Sequence, residues 1–203
     1  MPDGSVPPQV PRVTLSMNRR VVHVQWLEGL PEFKCHPDPV RTGAVVPSST
    51  ECVCCHRTRG CIYAAGVYAA EDLTDRLCPW CIADGSAASR FGASFSDDWS
   101  LRKAALSPEV IDEVTLRTPG YISWQSEAWL SQCNHVCACH GDASEADLAE
   151  ASEATRLAWQ REYGLTDVEW DDLREGYAPR GDRAFYKFVC RHCAAVLLGW
   201  DCS

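Results

Sequence analysis

Two Cys-x-x-Cys pairs, Cys52 with Cys55 and Cys78 with Cys81, stand 22 residues apart in the chain. A Cys-x-x-Cys turn brings two sulfurs to one ion, and zinc takes four such ligands in a tetrahedron. The doubled spacing is that of a four-cysteine zinc site, which requires the two turns to be folded onto each other. Cys54, adjacent to Cys55, is an alternative ligand in the same cluster.

The stretch Cys78-Pro79-Trp80-Cys81 also has a redox reading, because it is similar to the CPYC of glutaredoxins. A redox pair of that type follows a buried strand and opens a long helix, whose N-terminal dipole lowers the pKa of the first thiol. Here the preceding EDLTDRL looks helical, and Asp84-Gly85 interrupts any long helix afterwards. The surroundings favour zinc, with a thiol oxidoreductase using Cys78 and Cys81 as the alternative.

A second set comprises Cys133, Cys137, Cys139 and His140, with Cys190 and Cys193 about fifty residues on. Cys190-Arg-His-Cys193 lies between the strand-like runs AFYKFV and AAVLLGWD and has the form of a rubredoxin-type knuckle. Cys133 and Cys137, four apart on a helix end, share one face and complete the site, with Cys139 and His140 as alternative ligands. The expectation is one zinc ion or two. Four cysteines leave no open coordination position, which favours structural over catalytic zinc. The chain has no Gly-x-Ser-x-Gly elbow, phosphate-cradling glycine loop or His-Glu-x-x-His, so no enzyme activity is assigned.

An odd total of thirteen cysteines does not read as a secreted disulfide framework, and MPDGSVPPQVPR at the start lacks an apolar leader. No segment reaches the roughly 18 apolar residues of a membrane span. The expectation is a cytoplasmic protein with reduced thiols and no membrane partner. A net charge of -9 argues against direct nucleic-acid binding. From Asp142 to Asp182 twelve acidic residues face four basic ones, so that this segment alone carries -8.

The pattern predicts an α+β fold over residues 30–203, with 1–29 as an N-terminal extension that includes the strand-like VVHVQW and an alternative start at Met17. FKCHPDPVRTGAVVPSST reads as extended, CIYAAGVYA as a strand and AAEDLTDRL as a short helix. Ser107-Pro108-Glu109 opens a helix that Thr118-Pro119-Gly120 ends. SWQSEAWLSQC reads as an aromatic helix with Trp124 and Trp129 in the core. Ser144 starts a helix running to about Tyr163, where Gly164 stops it, and DVEWDDLREG forms another within an acidic helical segment at 142–182.

CHPDP, the ECVCC cluster, LCPWCIADGSAA, RTPGYISWQSEAWL and the late CRHC together resemble the CbrC family, over roughly Leu30 to Asp201. Its named bacterial member is associated with tolerance to colicin E2. By this resemblance Cys52, Cys54, Cys55, Cys78, Cys81, Cys133, Cys137, Cys190 and Cys193 fall at motif positions, while Cys139 and His140 are additional. The resemblance implies a toxin-tolerance or immunity role, with a basic nuclease toxin domain as partner. Charge complementarity would then place the contact on Trp159, Glu162, Tyr163, Glu169, Trp170, Asp171 and Asp172. The plainer reading of that segment is a solvated acidic helix with its aromatics turned to the core, and a regulatory zinc module binding another protein would use the same surface.

Overall fold

A computed structural model describes residues 29–203, so VVHVQW and Met17 lie outside the described residues. The fold is α+β, as the patterning predicts. Strand β1 (Val45–Pro47) pairs antiparallel with β2 (Cys61–Tyr63), whose three residues are all buried. Four short helices follow: α1 (Pro79–Ala83), α2 (Ser86–Phe91), α3 (Trp99–Lys103) and α4 (Pro108–Arg117). Both α1 and α4 begin on proline, which is preset for the first helical position and has no N–H to leave unsatisfied. This half closes around Phe33, Tyr63, Leu77, Ile82 and Phe95, with the sulfurs of Cys52, Cys78 and Cys81 in the same core.

The second half contains the hairpin β3 (Ser131–Gln132) and β4 (His135–Val136), followed by β5 (Ala138–Asp142). Helices α5 (Glu145–Ala149), α6 (Glu153–Tyr163) and α7 (Asp167–Arg174) lead to β6 (Arg183–Val189) and β7 (Val196–Cys202). The last sheet is antiparallel in the order β5-β6-β7. Successive strand residues point to opposite faces. Ala184, Tyr186 and Phe188 therefore pack with Tyr121 and Trp129, whereas Phe185 packs with Trp159 and Trp170 on the other side. Helices cover one face and the first half covers the other, which explains why AFYKFV is apolar almost throughout.

Three expected helices fold differently. In AAEDLTDRL the Asp72 side chain accepts the Thr74 N–H at 3.1 Å, and Asp75 turns left-handed at φ 53°, making an Asx turn instead of a helix. SWQSEAWLSQC is irregular until β3 because its backbone and side chains are bound elsewhere. The N–H groups of Trp124 and Gln125 donate to Asp201 Oδ2 at 3.1 and 3.3 Å, and Trp129 Nε1 donates to Ser96 Oγ at 2.8 Å. Trp129 is a core anchor as expected, but Trp124 is 53% exposed. The run from Ser144 to Tyr163 divides into α5 and α6 because it carries two caps: Ser144 forms a capping box with Asp147, and Ser152 caps Thr155.

A cysteine-lined candidate metal centre

The segments beginning at Cys52 and Cys190 form the same knuckle. In the first, the Cys52 N–H donates to Arg57 O at 3.0 Å and the His56 N–H to Cys52 O at 2.8 Å. In the second, the Cys190 N–H donates to Ala195 O at 2.8 Å and the Ala194 N–H to Cys190 O at 3.0 Å. Each turn closes through a left-handed residue directly after its second cysteine, His56 at φ 55° and Ala194 at φ 59°. Neither is glycine, the residue that adopts this conformation at least cost. With the backbone so folded, the His192 N–H points at Cys190 Sγ at 3.4 Å.

Cys78 caps the N-terminus of α1 and brings Cys81 round on its first turn, the second half of the first site. Across that site the sulfurs of Cys52 and Cys81 are 3.9 Å apart, those of Cys55 and Cys78 3.7 Å, and those of Cys78 and Cys81 3.6 Å. A regular zinc tetrathiolate with bonds of about 2.3 Å has sulfur-to-sulfur edges of about 3.8 Å. A disulfide would need about 2.05 Å. All thirteen cysteines are free thiols. These four can hold one metal ion.

The electrostatics of this site favour a thiolate at Cys52. Hydrogen bonding with the Cys78 thiol holds the Cys52 thiol down to about 4, assisted by the N–H groups of Cys55, Cys78 and Cys54, which outweigh burial. The Cys78 N–H reaches Cys52 Sγ at 3.2 Å. Cys78 itself is pushed up, first by its hydrogen bond to Cys52 and then by burial. A redox pair of the glutaredoxin kind needs the reverse order, an accessible low-pKa thiol on the helix cap. Here Cys78 and Cys81 are only 1% and 3% exposed. Cys54, the alternative ligand, instead lies against Ser86 Oγ at 3.5 Å.

At the second site, Cys133, Cys190 and Cys193 converge closely enough to hold a metal ion. Cys133 is not on a helix end. It and Asn134 are the two central residues of the β3–β4 turn, left-handed at φ 54° and 58°, the backbone of a type I′ hairpin. The asparagine is the turn signal in the sequence that identifies this geometry. The Cys193 N–H, followed by the His192 N–H, brings the Cys190 thiol down to about 7. Cys137 is fully buried beyond β4 and is not part of the converging trio. Burial pushes its thiol up to about 12, reinforced by the neighbouring Cys190, Cys193 and Cys133.

The alternative ligands of the second set lie elsewhere. Cys139 is fully buried on β5, where its Sγ accepts the Gly141 N–H at 3.4 Å. His140 lines a cleft formed with Arg41 and Trp124.

The expected partner surface divides by residue type. Trp159 and Trp170 are 2% and 1% exposed and meet edge to face with ring centroids 4.9 Å apart, so they are core residues and not exposed anchors. Tyr163 is half-buried, and its hydroxyl accepts the backbone N–H of Trp200 at 2.9 Å. Of the acids, Glu169 completes a capping box with Thr166, and Glu162 pairs with Lys103 at 3.2 Å. Asp171 and Asp172 remain on the solvent face. Much of the charge excess in 142–182 is thus explained by acids at helix N-termini, where the dipole favours them.

A family model described as "Uncharacterised protein family (UPF0167)" matches residues 30–202. Over 165 residues the chain is 41% identical to a UPF0167 protein of Pseudomonas aeruginosa, covering 81% of this chain and 92% of that one. It is 39% identical over 171 residues to UPF0167 proteins of Mycobacterium bovis and Mycobacterium tuberculosis, covering 83% of this chain and 91% of each. No solved structure matches the chain.

Proposed function

The chain belongs to the UPF0167 family, and from that premise we propose that it is a zinc-stapled binding protein in which the metal is structural. The observation that carries this reading is the near-tetrahedral set of sulfur distances at Cys52, Cys55, Cys78 and Cys81. Four soft thiolates suit zinc, leave no position for water and sit within a hydrophobic core. The second ion takes Cys133, Cys190 and Cys193, with Cys137 as the fourth thiolate. Cys137 stands four residues after Cys133, and its sulfur lies outside the converging trio, so the fourth ligand rests on that spacing.

Alkylation tests this reading. On the purified full chain Cys78 resists a thiol reagent until a strong chelator is added. Rapid labelling of Cys78 before chelation, with label returning on reduction of a Cys78–Cys81 disulfide, would favour the oxidoreductase instead.

For the biological role we propose protein binding in the cytoplasm, with neutralisation of a basic nuclease toxin as the specific form. Two things support it: the resemblance of the cysteine motifs to the CbrC family, and the acids Asp171 and Asp172 on the outer face of α7. Opposite charge speeds encounter with a basic partner and weakens with salt. A pulldown with an isolated DNase-type toxin domain checks this reading. A complex that forms at low salt and associates more slowly after Asp171→Asn and Asp172→Asn supports it, and no complex at micromolar concentrations sinks it. A regulatory module with a different partner would use the same face.

A further inference from the structure

Residues far apart in the chain meet in a cleft of about 630 Å³ between the 39–43 turn, the loop carrying Trp124, the end of β5 and the loop before β6. None of the cysteine chemistry uses it. Its floor is aromatic and apolar, with Tyr121, Tyr186 and Ala184. Arg41 and Arg180 supply two guanidinium groups against one carboxylate, Asp142, among the lining residues. Asp38, which pairs with Arg41, and Asp201, which accepts the Trp124 N–H, offset these cations, so the cleft offers two guanidinium donors and no net positive charge.

The walls are already held in place. Trp124 is 53% exposed, yet its indole N–H donates to Gly181 O at 3.2 Å and its backbone N–H to Asp201, so the ring is presented without being free to collapse. Arg41 is braced by a 2.6 Å hydrogen bond to His140 O and a 3.4 Å ion pair with Asp38. Arg180 sits at φ 66°, a left-handed conformation costly for a residue with a side chain. Its Nε lies 4.0 Å from Asp142, loose enough for a stronger anion to compete. Non-glycine strain of this kind persists where the surroundings enforce it and is a pointer to function.

We propose that this cleft binds a small planar anion: an aromatic or heteroaromatic ring stacked on Trp124, with its phosphate or carboxylate between Arg41 and Arg180. A cleft of this volume with an apolar floor and a few convergent polar groups is the usual form of a small-molecule site. An arginine fork matches both oxyanions. Stacking on an exposed, immobilised indole selects for a ring and tolerates its identity.

Calorimetric titration of the zinc-loaded full chain tests this site. Two probes distinguish the possible sources of the anion, adenosine 5′-monophosphate for a phosphorylated ring and indole-3-carboxylate for an aromatic acid, with adenosine and inorganic phosphate as half-ligands. At least one ring-bearing anion is expected to bind with a Kd below about 1 mM and to shift the Trp124 indole N–H resonance. The corresponding half-ligands should bind at least about tenfold more weakly. Trp124→Ala and Arg180→Ala change exposed side chains, and each should weaken binding about tenfold. Trp99→Ala, at an exposed tryptophan outside the cleft, should change nothing. Failure of both anions at millimolar concentration would overturn the site, as would affinity unmoved by both cleft variants or inorganic phosphate binding as tightly as the nucleotide.

Discussion

Cys52 and Cys81 are 29 residues apart in sequence, and their sulfurs meet at 3.9 Å inside the core formed by Phe33, Leu77, Ile82 and Phe95. A metal ion held there would take the place of apolar side chains that the short strands and helices of this half do not supply. Cys81→Ser should release one metal equivalent and unfold the first half, because structural zinc contributes on the order of 10 kcal/mol to small domains. A thermal melt should show this as a lost or strongly lowered transition. A melt unchanged from that of the wild type would mean that the core stands without the ion.

Cys137 and Cys139 are both fully buried, two positions apart, and differ in what their thiols face. Cys137→Ser should lose the second metal equivalent. Cys139→Ser should keep both ions and cost only the burial of a hydroxyl, about 1–3 kcal/mol in denaturant unfolding. The opposite pattern of metal content would reassign the fourth ligand.

His36 is fully buried, with Nδ1 donating to Pro119 O at 2.8 Å and Nε2 placed 2.7 Å from Thr42 Oγ1. Burial brings the ring down to about 4 from its usual 6.5, so it is neutral at pH 7 with its proton on Nδ1. Above pH 6.5 neither the folded nor the unfolded state binds the extra proton, and the full contribution is present. As pH falls from 6.5 towards 4 the unfolded chain takes up a proton that the folded one refuses, and stability drops by up to roughly 3 kcal/mol. Urea unfolding at pH 7, 6 and 5 should show a steeper acid loss for the wild type than for His36→Gln, since acid release of metal affects both alike. Equal slopes would place the ring's pKa at its ordinary value.

Gly120 follows the Thr-Pro helix stop, and its backbone passes directly against another segment. A Cβ there would lie 2.1 Å from the Phe95 carbonyl oxygen and 2.9 Å from the Tyr63 hydroxyl. Gly120→Ala should cost about 3 kcal/mol or more, because backbone must move to admit it. Gly164→Ala, left-handed at φ 66° but with nothing within 4 Å, should cost only about 1 kcal/mol. Chemical denaturation of the two variants separates crowding from backbone preference.

The parts of this molecule legible in the sequence are those set by neighbouring residues. Proline at the start of α4, the capping residue Ser144, glycine at 164 and the Cys-x-x-Cys spacings all act within a few positions, and the elements begin or end where those residues place them. What the sequence hid depends on distant partners. Asp201 draws the backbone of Trp124 and Gln125 away from a helix across more than seventy residues. Cys133 and Cys137 invite a helical reading at i and i+4, whereas Asn134 beside Cys133 makes a hairpin. The cleft was invisible because Arg41, Trp124, His140 and Arg180 share no motif and come from segments far apart in the chain.

The central claim is that two cysteine sites each hold a structural zinc ion, and metal quantification on purified full-length protein tests it most directly. The account predicts two equivalents of zinc in the wild type, one in Cys78→Ser and one in Cys190→Ser, with the cysteines of the remaining site still protected from alkylation. A natively folded wild-type protein without metal, or either variant retaining two equivalents, would contradict it.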